Sequence, residues 1–279
     1  MIPFRIHEPA GAPSPIVVDS PHSGLEMPED FGTIATLDAL RTTWDAFVDE
    51  LWADAPAHGA TLVAASFPRA YIDVNRREDD LDPALLATPW PTPLAPTDYS
   101  RRGMGLIRRL ALPEVPMYAA PLAVEAVEAR LVRYYRPYRE ALRARIAACR
   151  ATHGIAIYLD AHSMKSRGNA MNVDADAARP DVVVSDRHGT TADPRVTAFV
   201  ADRFRSQGYS VQLNDPYQGG DLVRSFGAPA DGVHAVQVEV NRARYMDEAA
   251  FTKSQEFAAL RAACGDCVRA LATAAREFA

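Results

Sequence analysis

What most constrains this chain is a repeated switch between two hydrophobic periods. Short β-branched runs at Ile16–Asp19, Thr61–Ala65, Ala70–Val74, Ala156–Asp160, Val182–Ser185, Ser210–Leu213 and Val233–Val240 are predicted strands. Longer stretches with apolar residues at threes and fours predict helices over 37–55, 122–152, 194–207 and 247–277. Within 122–152, Val124, Val127, Leu131, Tyr134, Tyr135, Tyr138 and Leu142 form one stripe, and Pro137 predicts a kink or break near Arg136. Strands alternating with helices predict an α/β layer fold around a largely parallel sheet.

Length and composition narrow the class. A chain of 279 residues, 48% of them hydrophobic, can bury a sizeable core. No repeat or linker divides it, which predicts a single domain over 1–279. The segment 86–118 is rich in proline and arginine with little periodicity, the mark of a functional loop or of a surface hairpin. A net charge of −6 offers no basic field for nucleic acid. No apolar run is long enough to span a membrane, and the N-terminus has no charged region leading into an apolar one. Three cysteines, Cys149, Cys264 and Cys267, predict a reduced, cytoplasmic protein. Cys264 and Cys267 have metal-site spacing, but they lie in an alanine-rich helical stretch with no second ligand pair, so they read as small helix residues.

Ligands in open α/β sheets bind at the carboxyl ends of the strands. Here those ends gather polar groups. The first strand runs into Asp19-Ser20-Pro21-His22-Ser23-Gly24, where Gly24 permits a tight turn. "YIDVNRRE" ends in Asp73, Asn75, Arg76 and Arg77; "IAIYLDAHSMKSRG" ends in Asp160, His162, Ser163 and Arg167; "HAVQVEVNR" carries Glu239, Asn241 and Arg242. Two histidines at separate strand ends, without nearby thiolates, suit a divalent ion such as Zn²⁺, with a carboxylate completing the set. Glu26 and Asp45 both qualify. A carboxylate among valines, as at Glu239, is costly unless paired or functional, and it suits a general base. Gly219-Gly220 allows close backbone approach. Arg76, Arg77, Arg167 and Arg224 are candidates for holding a carboxylate substrate.

Six ordered blocks, "DSPHSG", "DAFVDELW", "YIDVNR", "YLDAHSM", "YQGGDLVRSFG" and "GVHAVQVEVNRARYMDE", resemble the N-formylglutamate amidohydrolase (deformylase) family. The resemblance implies a three-layer αβα sandwich with a mixed sheet, similar to zinc carboxypeptidases and aspartoacylases. It implies His22 and His162 as zinc ligands, and it favours Asp45 over Glu26 as the third. Thr43-Trp44-Asp45 departs from the D-T-D often found there, and the 86–118 segment matches poorly. The implied activity is metal-dependent hydrolysis of an acidic N-acyl amino acid, foremost N-formyl-L-glutamate, in histidine degradation. Glu239 would be the base, with His234 nearby. Asn75, Arg76, Arg167, Arg224 and Gly220 would bind substrate. A deacylase for another acidic N-acyl compound, a small peptidase, or a metal-free binding protein on the same fold are the alternatives.

Overall fold

The computed structural model describes residues 2–172 and 174–278. Seven strands form one sheet: β1 (Phe4–His7), β2 (Ile16–Ser20), β3 (Thr61–Ala65), β4 (Ala156–Met164), β5 (Val182–Ser185), β6 (Val211–Leu213) and β7 (Val233–Asn241). Their order across the sheet is β1-β3-β2-β4-β7-β5-β6. The four central strands β3, β2, β4 and β7 are mutually parallel, whereas β1 and β5 join them antiparallel. The sheet is mixed and largely parallel, with both faces covered, which is why β2, β4 and β7 are buried along their whole length.

Side chains alternate between two cores. Ile16, Val18, Leu159, Ala161, Val236, Val238 and Val240 face helices Val48–Leu51, Pro194–Arg205 and Phe257–Ala274. Val17, Tyr158 and Ala235 face the opposite layer, built from helices Val124–Arg130, Arg136–His153 and Asp221–Phe226. The result is the three-layer αβα sandwich.

Several predicted elements differ in detail. Ala70–Val74 is not a strand. Tyr71, Ile72 and Val74 are buried, but the Asp73 N–H donates to Leu106 O rather than to a sheet neighbour. The predicted helix over 37–55 is broken into Leu37–Arg41 and Val48–Leu51, because Thr42 and Thr43 hydroxyls return to carbonyls of the first turn and Phe47 is left-handed. Pro137 does not end its helix. The turn before it, Leu131–Tyr135, widens into a π-helix, after which Arg136–His153 continues. The last predicted helix starts later, at Phe257, after a small hairpin of Met246–Asp247 and Thr252–Lys253. Cys264 and Cys267 are free and buried inside it. No helix is long and apolar enough to cross a membrane among the described residues.

Candidate active site

The sheet's alternation lays out the site. On one face, β2, β4 and β7 start apolar with Val17, Tyr158 and Ala235, which are register partners across the sheet. Two residues further on, the same face carries Asp19, Asp160 and Gln237, again in register. Two residues beyond, His162 pairs with Glu239. The opposite face is mostly aliphatic, interrupted by His234 near the start of β7 and by Ser20 and Ser163 near the strand ends. The titratable groups Asp19, Asp160, His162 and Glu239 therefore gather toward the carboxyl ends of the parallel strands on one face.

His22 arrives from the loop after β2. Ser20 Oγ donates to Ser23 Oγ at 2.9 Å, and Trp44 Nε1 donates to Ser23 O at 2.5 Å, fixing that loop. Gly24 is needed for close approach rather than for a left-handed turn, since a Cβ there would lie 2.3–2.5 Å from backbone atoms of Ala65 and Ser66. Gly24→Ala is expected to destabilise the protein by about 1–3 kcal/mol through overpacking against backbone that cannot yield; thermal denaturation checks this, and an unchanged melting temperature would contradict it.

Asp45 comes from the break between the two short helices, where its N–H donates to His22 O at 3.1 Å. One atom each of His22, Asp45 and His162 lie within 4.8 Å of one another, all three side chains buried. Asp45 Oδ2 is 3.4 Å from His22 Nδ1 and 3.1 Å from His162 Nδ1. Its other oxygen accepts from Arg242 Nη2 at 2.9 Å.

Each imidazole has its remaining nitrogen against a carboxylate. His22 Nε2 lies 2.7 Å from Asp73, and His162 Nε2 lies 2.8 Å from Asp160. Asp73 is gripped in turn by Arg69 through Nε and Nη2, at 3.2 and 2.7 Å. Asn75 Nδ2 reaches Asp160 and His162 Nε2, and its Oδ1 accepts from Leu222 N–H. Both Nδ1 atoms thus face one point beside Asp45. Among the described residues His22 Nδ1 is buried without a hydrogen-bond partner, an orphan that a cation would satisfy. Two imidazole nitrogens plus a carboxylate oxygen, with carboxylates behind the rings, fit a divalent ion.

Electrostatics agree with a cation site. Burial disfavours charge on Asp45, yet the hydrogen bond with His162 and the neighbouring His22 hold its carboxyl well below the usual range. Burial likewise opposes ionisation of Asp73, but Arg69 and His22 keep it well below normal. Glu239 moves the other way. Burial, assisted by Asp45 and Asp160, raises it to about 7 against the pull of His162 and Arg69. Gln237 Nε2 donates to it at 3.0 Å. Beneath the site, burial and repulsion from Asp160 push Asp19 well above its ordinary value, although it accepts from Tyr138 and Tyr158 hydroxyls.

Of the residues expected from sequence, His22, Asp45, Asn75, Arg76, His162, Gly220 and Glu239 line one cavity. Gly220 approaches closely because a Cβ would collide with the Asn75 amide at 2.4–2.6 Å. Five expected residues are not brought there; one of them, Arg77, pairs with Asp79 instead. Glu26 points to the surface and pairs with Arg5. His234 lies five residues before Glu239 in β7 and on the other face, with Nδ1 accepting from Asp193 N–H. Arg224 pairs with Asp221, and exposed Arg167 donates to Asp176 O. Arg69, Arg108 and Lys165, which sequence reading did not single out, do line the cavity. The 86–118 segment supplies Tyr99, Met104, Arg108 and Ala111 to its wall.

The family model for N-formylglutamate amidohydrolase matches residues 14–246. This chain belongs to that family. A crystal structure of N-formylglutamate amidohydrolase from Ralstonia eutropha JMP134 has 39% sequence identity, covers 100% of both chains and superposes with a TM-score of 0.95. N-formylglutamate deformylase of Pseudomonas aeruginosa is 31% identical over 241 residues, 85% of this chain and 84% of its own length. Its counterpart from Pseudomonas putida is 30% identical over 243 residues, covering 84% and 82%. Membership fits the site, because the atoms that converge come from blocks spread over nearly the whole matched region.

Proposed function

We propose that this amidohydrolase cleaves N-formyl-L-glutamate to formate and L-glutamate, using a divalent ion, foremost Zn²⁺, held by His22 Nδ1, Asp45 Oδ2 and His162 Nδ1. The observation that carries this reading is the meeting of those three atoms beside Glu239, which is in register with His162. Such an ion polarises an amide carbonyl and acidifies water.

The chain's own groups do the rest. Glu239, with a pKa near 7, takes the proton from the attacking water, and the water oxygen bonds to the formyl carbon. The carbon–nitrogen bond then breaks, and Glu239 returns the proton to the leaving amine nitrogen. Arg69, held against Asp73, supplies positive charge beside the developing oxyanion. Arg76, held by Met104 O and Asn75 O and stacked over Tyr99 at 4.5 Å, offers its guanidinium to the substrate's α-carboxylate.

The test is release of formate from a panel of N-formyl and N-acetyl amino acids by purified protein, with and without chelator. Chelator-sensitive release from N-formyl-L-glutamate is expected. Stoichiometric metal without such release would reject the substrate, and absence of bound metal would favour a binding protein. Asp73→Asn is expected to weaken metal affinity about 10–100-fold by loosening His22; a metal-buffered titration reads this, and unchanged affinity would remove Asp73 from the role.

A further inference from the structure

The cavity's arginines differ in what holds them. Arg69 is bound by Asp73, Arg179 by Asp174, and Arg242 by Asp45 and Ser163. Arg108 is different. It is 7% exposed, its Nε is buried without a hydrogen-bond partner, and its guanidinium has no ion pair among the described residues. Lys165, just past the end of β4, also faces the cavity without an ion pair among the described residues. Glu248, the acid whose charge acts on it, accepts from Ser166 N–H and Oγ instead.

An unpaired buried guanidinium is expensive, and it is kept only where a partner arrives. Burial and the neighbouring charge of Arg69 lower Arg108 to about 9, and burial with Arg242 lowers Lys165 to about 8. Each relaxes when an anion enters. Both line the same cavity.

We propose that Arg108 and Lys165 take the side-chain carboxylate of the substrate and thereby set the preference for acidic over neutral N-formyl amino acids. This rests on the reading above, in which Arg76 holds the α-carboxylate. Arg76 follows Asn75, which touches His162, and so it stands near the reacting amide. The side-chain carboxylate lies further from the scissile nitrogen, and Lys165 lies beyond His162 along the chain. Arg108 comes from the proline- and arginine-rich 86–118 segment, so specificity would reside in a segment without helical or strand periodicity.

The experiment compares kcat/KM for N-formyl-L-glutamate and N-formyl-L-glutamine in wild type, Arg108→Met, Arg108→Lys and Lys165→Met. Wild type is expected to favour the acid, and Arg108→Met to shrink that ratio about 10–100-fold, mostly through KM for the acid. Arg108→Lys should restore part of it, and Lys165→Met should shrink it less. Arg108→Met should also melt at or above the wild-type temperature, since it removes an unpaired buried charge; a scaffold arginine would lower it. An unchanged ratio with wild-type metal content overturns the proposal. If Arg108→Met fails to fold, the proposal is overturned on the stability readout, and the ratio in the Lys165 variant decides that residue alone. Wild-type protein that carries metal but cleaves neither substrate would instead sink the underlying reading.

Discussion

Glu239→Gln is expected to lower kcat about 10²–10⁴-fold while leaving bound metal unchanged, because glutamine keeps the shape and cannot accept a proton. The environment makes this residue suited to the role. It is 8% exposed on a strand whose opposite face carries Val236, Val238 and Val240, and it receives a hydrogen bond from Gln237. Burial first, then Asp45 and Asp160, lift its pKa to about 7. Wild-type kcat/KM should therefore fall on the acid side, approaching tenfold per pH unit, as the base becomes protonated.

Stability provides an independent readout. A carboxyl whose folded pKa is raised from 4.5 to about 7 contributes stability that is fully present below the unfolded value. That contribution is lost as pH rises through 7, on the order of 3 kcal/mol. Glutamine does not ionise, so the metal-free variant should gain stability relative to metal-free wild type between pH 4.5 and 7 and keep the gain above. Full turnover in the variant, or parallel stability curves, would remove Glu239 from the assigned role.

Much of this site was legible because strand alternation writes itself into sequence. Tyr158, Asp160 and His162 fall on one face of β4, and Ala235, Gln237 and Glu239 on one face of β7, by parity alone. Parity also separates His234 from Glu239, a signal that a resemblance to neighbouring motif residues obscured. Asp45 was less accessible: its placement depends on a helix breaking where periodicity predicts continuity, and the break is made by threonine hydroxyls and a left-handed Phe47. Arg108 had no local signal at all. It lies in a proline-rich segment without periodicity, and only tertiary packing shows that its guanidinium is buried and unpaired. Gly24 shows the same limit, since its need for space comes from Ser66, distant in sequence.

Removing His162 should have the second large effect. His162→Ala deletes one of the three converging donors and leaves Asp45 and Asp160 without their imidazole partner. Loss of turnover below detection is expected, together with loss of stoichiometric metal. The variant should also be destabilised, by roughly 3–5 kcal/mol, because buried carboxylates lose their counter-charge. Burial alone disfavours an imidazolium at His162, but Asp160, Asp45 and Glu239 raise its pKa well above the ordinary value. Adding Zn²⁺ at 1,000 times its dissociation constant should stabilise chelator-treated wild type by about 4 kcal/mol, since only the folded chain assembles the donor set. His162→Ala should show almost none of that gain, whereas Glu239→Gln should show all of it. A calorimetric series with and without Zn²⁺ separates the residues proposed to hold the ion from the residue proposed to move the proton. Equal Zn²⁺ stabilisation in wild type and His162→Ala would place the metal elsewhere.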